Sequence, residues 1–63
     1  MKFDYIQHLF MPSQTINGII RMHNNMVSDK DILEALVAEF NKVNENAVPR
    51  VGTNFKIPVI INE

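Results

Sequence analysis

The alternation of apolar and polar positions is clearest near the C-terminus. Phe55, Ile57, Val59 and Ile61 recur there at a period of two, which is the side-chain period of a β-strand. Gly52 precedes them and suits a turn. This stretch predicts a C-terminal strand with one apolar face, which the rest of the chain has to cover.

The first eleven residues predict another strand, bounded by Pro12. It contains the aromatic and aliphatic residues that strands favour: Phe3, Tyr5, Ile6, Leu9 and Phe10. Polar residues interrupt the alternation, so we expect one half-solvated face or a β-bulge. Pairing this strand with the C-terminal one would reduce the number of unpaired sheet edges.

The segment from Ser13 to His23 fits two different structures. The dipeptide Asn17-Gly18 between β-branched residues is typical of a tight hairpin turn. In a helix with Ser13 as its N-cap, one face would instead carry Ile16, Ile19, Ile20 and His23. Gly18 inside that helix would cost about 1 kcal/mol. The local pattern favours neither structure over the other.

The clearest helix begins at residue 28. Ser28 and Asp31 form the S-x-x-D pattern of a capping box, and Asp29 adds a negative charge that the helix dipole favours. The apolar stripe of this helix consists of Ile32, Leu33, Leu36, Val37, Phe40 and Val43. We expect it to end near Asn44, because Asn44 and Asn46 are poor helix-interior residues.

Length and charge narrow the possible functions. A chain of 63 residues predicts a single domain over residues 1–63, without a linker or repeat. The net charge of −1 is scattered, so we expect no nucleic-acid partner. We also expect no membrane association, because no apolar run has the length of a membrane span. No secretory signal is visible at Met1, so the chain is expected to act where it is made or to be carried outward inside an assembly.

Candidates for chemistry are few. His8 and His23 are the only histidines, they lie in different elements, and the chain has no cysteine. We therefore interpret His8 as a sheet-face residue and His23 as a partly buried helix-end residue, with no metal and no cofactor. Ser13 and Ser28 are interpreted as helix caps rather than nucleophiles. The sequence predicts a protein that is not an enzyme.

Apolar residues are abundant for so small a chain. We expect the four methionines to fill the core rather than form an adaptable binding patch with Phe10: Met1, Met11, Met22 and Met26. Val59 and Ile60 point to opposite faces of one strand. If helices cover only one side of the sheet, its other side is exposed and apolar, which favours a protein partner.

Three stretches of the chain resemble the LysM module. The C-terminal Gly52–Pro58 matches its Gly, apolar, x-Ile-Pro ending, Val37–Asn41 resembles the end of its second helix, and Ser13–Thr15 falls at the start of its first helix. The resemblance implies an α+β fold of order βααβ, with two helices on one face of a two-stranded antiparallel sheet. It favours the helix for residues 13–23.

In LysM modules that bind N-acetylglucosamine glycans, the groove lies between two loops. The corresponding residues of this chain are Pro12, Ser13, Gln14, Thr15, Val48, Pro49, Arg50 and Val51. The chain departs from the family here. LysM modules begin their first helix with Gly-Asp-Thr, of which only Thr15 remains, and they have Pro-Gly before the last strand, where this chain has Val51-Gly52. The Asn-Pro after the second helix is also absent. The resemblance therefore supports the scaffold more than the sugar site.

LysM-like folds also occur in bacteriophage tails and baseplates, for example in short tail-X type proteins. The resemblance thus implies a noncatalytic structural protein that is made in the host cytoplasm, becomes part of the virion and binds other protein subunits. We expect the interface to consist of Phe55, Ile57, Val59, Ile60 and Ile61, through the open sheet face and by strand pairing along this edge. The alternative function is a module that binds peptidoglycan or N-acetylglucosamine oligomers.

Overall fold

The computed structural model describes residues 1–45 and 47–61, which form four elements in the order strand, helix, helix, strand. These are β1 (Lys2–Leu9), α1 (Ile16–Met22), α2 (Lys30–Val43) and β2 (Asn54–Ile61). The α+β class and the βααβ order predicted from the sequence are confirmed. Neither helix in the described ranges is long and apolar enough to cross a bilayer.

The two strands form one antiparallel sheet. Each has 8 residues, and they pair one to one, starting with Lys2 opposite Ile61. No bulge interrupts the register between Lys2 and Leu9, so β1 itself is half solvated rather than bulged. Next to this register, Gly52 and Thr53 both face Phe10 and form a β-bulge: the Phe10 N–H donates to the Thr53 carbonyl at 2.9 Å, and the Phe10 carbonyl accepts from the Gly52 N–H at 2.8 Å. Gly52 has a φ of +88°, so the turn predicted there is confirmed.

The ambiguous segment is helical, and the hairpin interpretation is wrong. Thr15 is the N-cap of α1, and its hydroxyl accepts from the Gly18 N–H at 3.0 Å. A Cβ at Gly18 would lie 3.0 Å from that hydroxyl oxygen, which explains a glycine inside the helix. The prediction of Ser13 as N-cap is wrong, because Ser13 has a left-handed φ of +69° and an N-cap needs an extended backbone.

The second helix agrees with the predicted boundaries to within a residue or two. Its N-cap is Asp29, whose carboxylate accepts from the Ile32 N–H at 3.1 Å, so the prediction of Ser28 as N-cap is wrong by one residue. A carboxylate satisfies the same N–H group and also favours the helix dipole. The C-cap is Asn44, as predicted. Asn46, named with it, lies outside the described residues.

The core lies between the helices and β2. Its buried side chains are Ile19 and Ile20 from α1, Leu36 and Phe40 from α2, and Phe55 and Ile57 from β2. The ring centroids of Phe40 and Phe55 are 5.6 Å apart. No residue of β1 is fully buried, although Phe3 packs against the core. Therefore β1 is the outer strand of the fold and β2 the inner one.

The predicted apolar face of β2 is correct only as far as Ile57. Pro58 is buried as well, and Ile60 packs against the core, whereas Val59 is half-buried and Ile61 is 42% exposed. The buried positions thus move from odd to even residue numbers along the strand. A two-stranded ribbon is strongly twisted, and this twist turns its opposite face toward the helices.

Candidate interaction surface

The edge of β2 that faces away from β1 is closed by asparagine side chains. The amide of Asn44 donates to the Lys56 carbonyl at 2.8 Å and to the Phe40 carbonyl at 2.9 Å. Its oxygen accepts from the Lys56 N–H at 3.0 Å. Asn44 thus provides one donor and one acceptor to the strand, as a neighbouring strand would.

Asn24 does the same further along the strand. It is buried and follows the C-cap of α1. Its amide donates to the carbonyls of Ile20 at 2.7 Å and Pro58 at 3.0 Å, and its oxygen accepts from the Ile60 N–H at 2.9 Å. An asparagine at the C-cap of α2, and another just after the C-cap of α1, therefore bond the backbone of β2.

These bonds fix which backbone groups of the sheet face outward. The backbone N–H and C=O groups of Lys56, Pro58 and Ile60 that bond the asparagines point away from β1. The odd-numbered residues of β2 therefore form the backbone hydrogen bonds to β1. Their partners on β1 are even-numbered, as the bonds of Phe10 confirm. The odd-numbered residues of β1 consequently present their N–H and C=O groups outward: Phe3, Tyr5, Gln7 and Leu9.

The outer edge of β1 is largely open. The Tyr5 N–H donates to the neighbouring Asp4 carboxylate at 2.8 Å, and beyond the strand the Met11 N–H donates to Gln14 Oε1 at 2.9 Å. Within residues 1–45 and 47–61, the outward backbone groups of Phe3, Gln7 and Leu9 have no hydrogen-bond partner. This is the edge at which another strand can be added.

Side chains of β1 add apolar surface to that edge. Tyr5, Ile6 and Leu9 are 41%, 37% and 45% exposed. The Tyr5 hydroxyl donates to a carboxylate oxygen of Glu39 on α2. This hydrogen bond to Glu39, with smaller contributions from burial and nearby negative charge, raises the pKa of Tyr5 above its usual value. The phenol therefore remains a neutral donor at physiological pH.

The predicted interface residues 55–61 lie mostly inside the fold of the single chain. Phe55 and Ile57 belong to the core, and Val59 and Ile60 are half-buried, which leaves Ile61 as the exposed member of the set. Strand pairing cannot occur along this edge because the asparagines occupy it. An asparagine after a helix is ordinary in sequence, so nothing in the pattern indicated its contact with β2.

The loops of the predicted glycan groove lie next to each other at their bases, where Phe10 bonds to residues 52 and 53. The structure places a cleft of about 190 Å³ at the first loop, lined by Ser13, Gln14, Thr15, Gly18, Ile19 and Met22. The second loop, Val48, Pro49, Arg50 and Val51, is exposed and does not line this cleft. Pro12 is exposed beside the cleft. The glycan groove that the resemblance implies between the two loops therefore stays a prediction.

The two histidines are in contact, which the sequence analysis missed because they lie in different elements. His8 Nδ1 is 3.0 Å from His23 Nε2, and His8 Nε2 is 3.0 Å from Gln14 Oε1. The expected positions, a sheet face and a partly buried helix end, are confirmed. Burial, and then the charge of His8, lowers the pKa of His23. In the described part of the chain no three His, Asp or Glu side chains are grouped to hold a metal.

The prediction that methionines fill the core is wrong. All four are exposed, from 48% for Met11 to 72% for Met1. Met22 contributes to the cleft of α1, and Met26 lies in the loop that follows. A second and more open groove of about 520 Å³ runs between the helices and is lined by Asn17, Lys30, Leu33, Glu34, Val37, Ala38 and Asn41.

Comparisons of the chain with protein-family models, curated proteins and solved structures gave no match. The resemblance to the LysM module therefore stays a prediction based on residues 13–15, 37–41 and 52–58. The surface with the clearest physical basis for recognition is the outer edge of β1.

Proposed function

We propose that this chain is a noncatalytic structural protein of a bacteriophage tail or baseplate, which binds neighbouring subunits through a LysM-like fold. The phage setting follows from the LysM resemblance. The observation that supports a role in protein binding is the edge of β1, where the outward backbone groups of Phe3, Gln7 and Leu9 lack partners among the described residues and lie beside exposed apolar side chains.

Binding would occur by strand addition to β1. A strand of the neighbouring subunit pairs with the outward groups of Phe3, Gln7 and Leu9, and its side chains cover Tyr5 and Ile6. Main-chain hydrogen bonds would set the alignment, and burial of apolar surface would supply most of the affinity. An isolated two-stranded sheet is marginally stable, so a further strand also stabilises the fold.

The test is to locate the chain in its native setting. Phage particles induced from cells that carry the gene are purified on a density gradient, and their proteins are identified by mass spectrometry. We expect the chain in the particle fraction at a fixed ratio to a tail protein. A chain found only in the lysate, with intact particles that lack it, would contradict the proposal.

A second candidate function, glycan binding, is favoured by the cleft at Ser13–Thr15, because the resemblance assigns one wall of the sugar groove to this loop. It is tested by sedimentation with insoluble peptidoglycan and competition by a soluble chitooligosaccharide. Met22→Glu alters the cleft, and Met26→Glu is the matched change outside it. If the cleft binds glycan, the natural chain and Met26→Glu should sediment with peptidoglycan and Met22→Glu should not. Equal behaviour of both variants would count against the cleft.

A further inference from the structure

We propose that β1 pairs with β1 of a second copy of this chain, antiparallel and centred on Ile6, to give a four-stranded sheet in the order β2-β1-β1-β2. This inference rests on the proposed protein-binding function of the β1 edge and names its partner. A two-fold axis through the edge makes the same surface serve both copies.

The backbone limits the possible registers. Outward groups belong to the odd-numbered residues, and an antiparallel partner must present outward groups opposite them. Odd residues of one copy therefore lie opposite odd residues of the other. The two-fold axis then passes between the two copies of one residue, which lie opposite each other. The longest overlaps of β1 with itself under this rule are centred on Tyr5 or on Ile6.

The side chains favour the register centred on Ile6. It places Ile6 opposite Ile6 and Phe3 opposite Leu9, so apolar side chains meet across the interface. It also places Asp4 opposite His8 of the other copy, which pairs a carboxylate with a group that becomes positive on protonation. Both nitrogens of His8 already face groups within its own chain, so this attraction is one of charge rather than a new hydrogen bond.

The register centred on Tyr5 matches poorly. It places Lys2 opposite His8, which become like charges when the histidine is protonated. It places the Asp4 carboxylate opposite the apolar Ile6, and Phe3 opposite a glutamine. Each of these pairs removes an attraction that the Ile6 register provides.

Pairing also exchanges one hydrogen bond for another. The Tyr5 N–H now donates to the Asp4 carboxylate. In the Ile6 register Tyr5 lies opposite Gln7 of the second copy, whose carbonyl accepts that N–H instead. Asp4 is then released toward His8 of the second copy. The edge is thus covered by a local contact in the free chain and by the second copy in the dimer.

Single cysteines test the register, because the chain contains no cysteine. In the Ile6 register the two copies of residue 6 form a non-hydrogen-bonded pair with Cα atoms about 4.5 Å apart, which suits a disulfide. The two copies of residue 5 are diagonal neighbours, about 7–8 Å apart, which does not. We expect Ile6→Cys to form a covalent dimer about ten times faster than Tyr5→Cys under mild oxidation.

Val48→Cys, at an exposed loop residue, gives the rate of random collision. Dimer formation by Ile6→Cys well above that rate supports the proposal. A Tyr5→Cys rate equal to or above that of Ile6→Cys would overturn the register. Rates of all three variants that are equal would overturn the pairing itself.

A second measurement uses the unoxidised protein. Sedimentation equilibrium over a concentration series should show a monomer–dimer equilibrium for the natural chain and for Gln7→Ala. Gln7→Pro removes an outward N–H without touching the bonds to β2, so it should shift the chain to monomer by at least about tenfold in dissociation constant. Dimer retained in a folded Gln7→Pro, or a monomeric natural chain, would contradict self-pairing.

The two proposals can fail separately. A chain found in phage particles that does not dimerise and gives collision-rate crosslinking retains the proposed function with a different partner. A chain that dimerises with the Ile6 register but is absent from particles retains the dimer and loses the phage function.

Discussion

The two outer edges of this sheet carry the same kind of backbone groups, but those of β2 are hydrogen-bonded by side chains and those of β1 are mostly not. On β2, the side chains of Asn24 and Asn44 occupy the positions that another strand would take. On β1, the carboxylate of Asp4 covers a single N–H group, and three outward residues lack partners in the described part of the chain. The strand that builds the core is closed, and the strand outside the core is available for binding.

The difference follows from where the helices end. Asn24 follows the C-cap of α1 and Asn44 is the C-cap of α2, and both side chains reach β2. Removing the closing groups of β2 one at a time, and then the contacts between β1 and the helices, separates the two edges experimentally.

The largest effect is expected for Asn24→Ala. The change removes a buried amide and leaves the Pro58 carbonyl and the Ile60 N–H without their partner, which costs about 2–4 kcal/mol of the free energy of unfolding. Urea denaturation measures it. Asn41→Ala, at an exposed helical asparagine, is the matched control and should change stability by less than about 0.5 kcal/mol. Equal effects of both changes would contradict the closing role of Asn24.

A smaller loss is expected for Asn44→Ala, about 1–2 kcal/mol, because the residue is only half-buried and water can replace part of its bonding. Hydrogen exchange gives the sharper measurement. Protection of the Lys56 amide, which bonds Asn44, should fall more than that of Ile57, which faces β1. Equal loss at both amides would mean that the whole strand is loosened and the edge is not closed locally.

Acidification should weaken the contact between β1 and the end of α1. Because the folded pKa of His23 is lowered while the unfolded one lies near 6.5, the unfolded chain binds more protons below neutrality. Stability should therefore be greatest above about pH 6.5 and fall as the pH drops from there toward the folded pKa. Urea midpoints across this range measure it, and His23→Gln should flatten the dependence. An unchanged slope in that variant would assign the effect to other groups.

The smallest expected effect concerns Tyr5, the only tyrosine of the chain. Its hydrogen bond to Glu39 raises its pKa, so Glu39→Ala should move the phenol titration down toward about 10. Ultraviolet absorption follows this titration directly, and Glu34→Ala on the same helix is the control. An unchanged titration in Glu39→Ala would show that Tyr5 and α2 are not in contact in solution.

Much of the fold was predictable from local pattern. The apolar stripe of α2 and its end at Asn44 gave a correct helix, and the two β-rich ends gave a correct pair of strands. The caps were harder, since Ser13 and Thr15 are equally good N-caps in composition and only the backbone conformation separates them. Periodicity also misplaced the buried face of β2 beyond Ile57, because it assumes a flat strand and this ribbon is twisted.

The candidate surface was less predictable. Sequence reasoning located unsatisfied edges and excess apolar residues, but it assigned them to β2. Which of the two edges stays open depends on the contacts of Asn24 and Asn44 with β2. These asparagines are separated from their β2 partners by tens of residues or by a whole loop. Such contacts have no local pattern, and the same holds for the contact of His8 with His23.

Pro58 explains why so few side chains are enough to close an edge of β2. A residue other than proline at this position would bring an N–H group into a buried site, where it would need an acceptor of its own. Because proline has none, its carbonyl is the group there that needs a partner, and the oxygen of Asn24 is left over for Ile60. One amide thus serves two strand positions, and a whole additional strand, with the residues and connections it would require, is unnecessary in a chain of 63 residues.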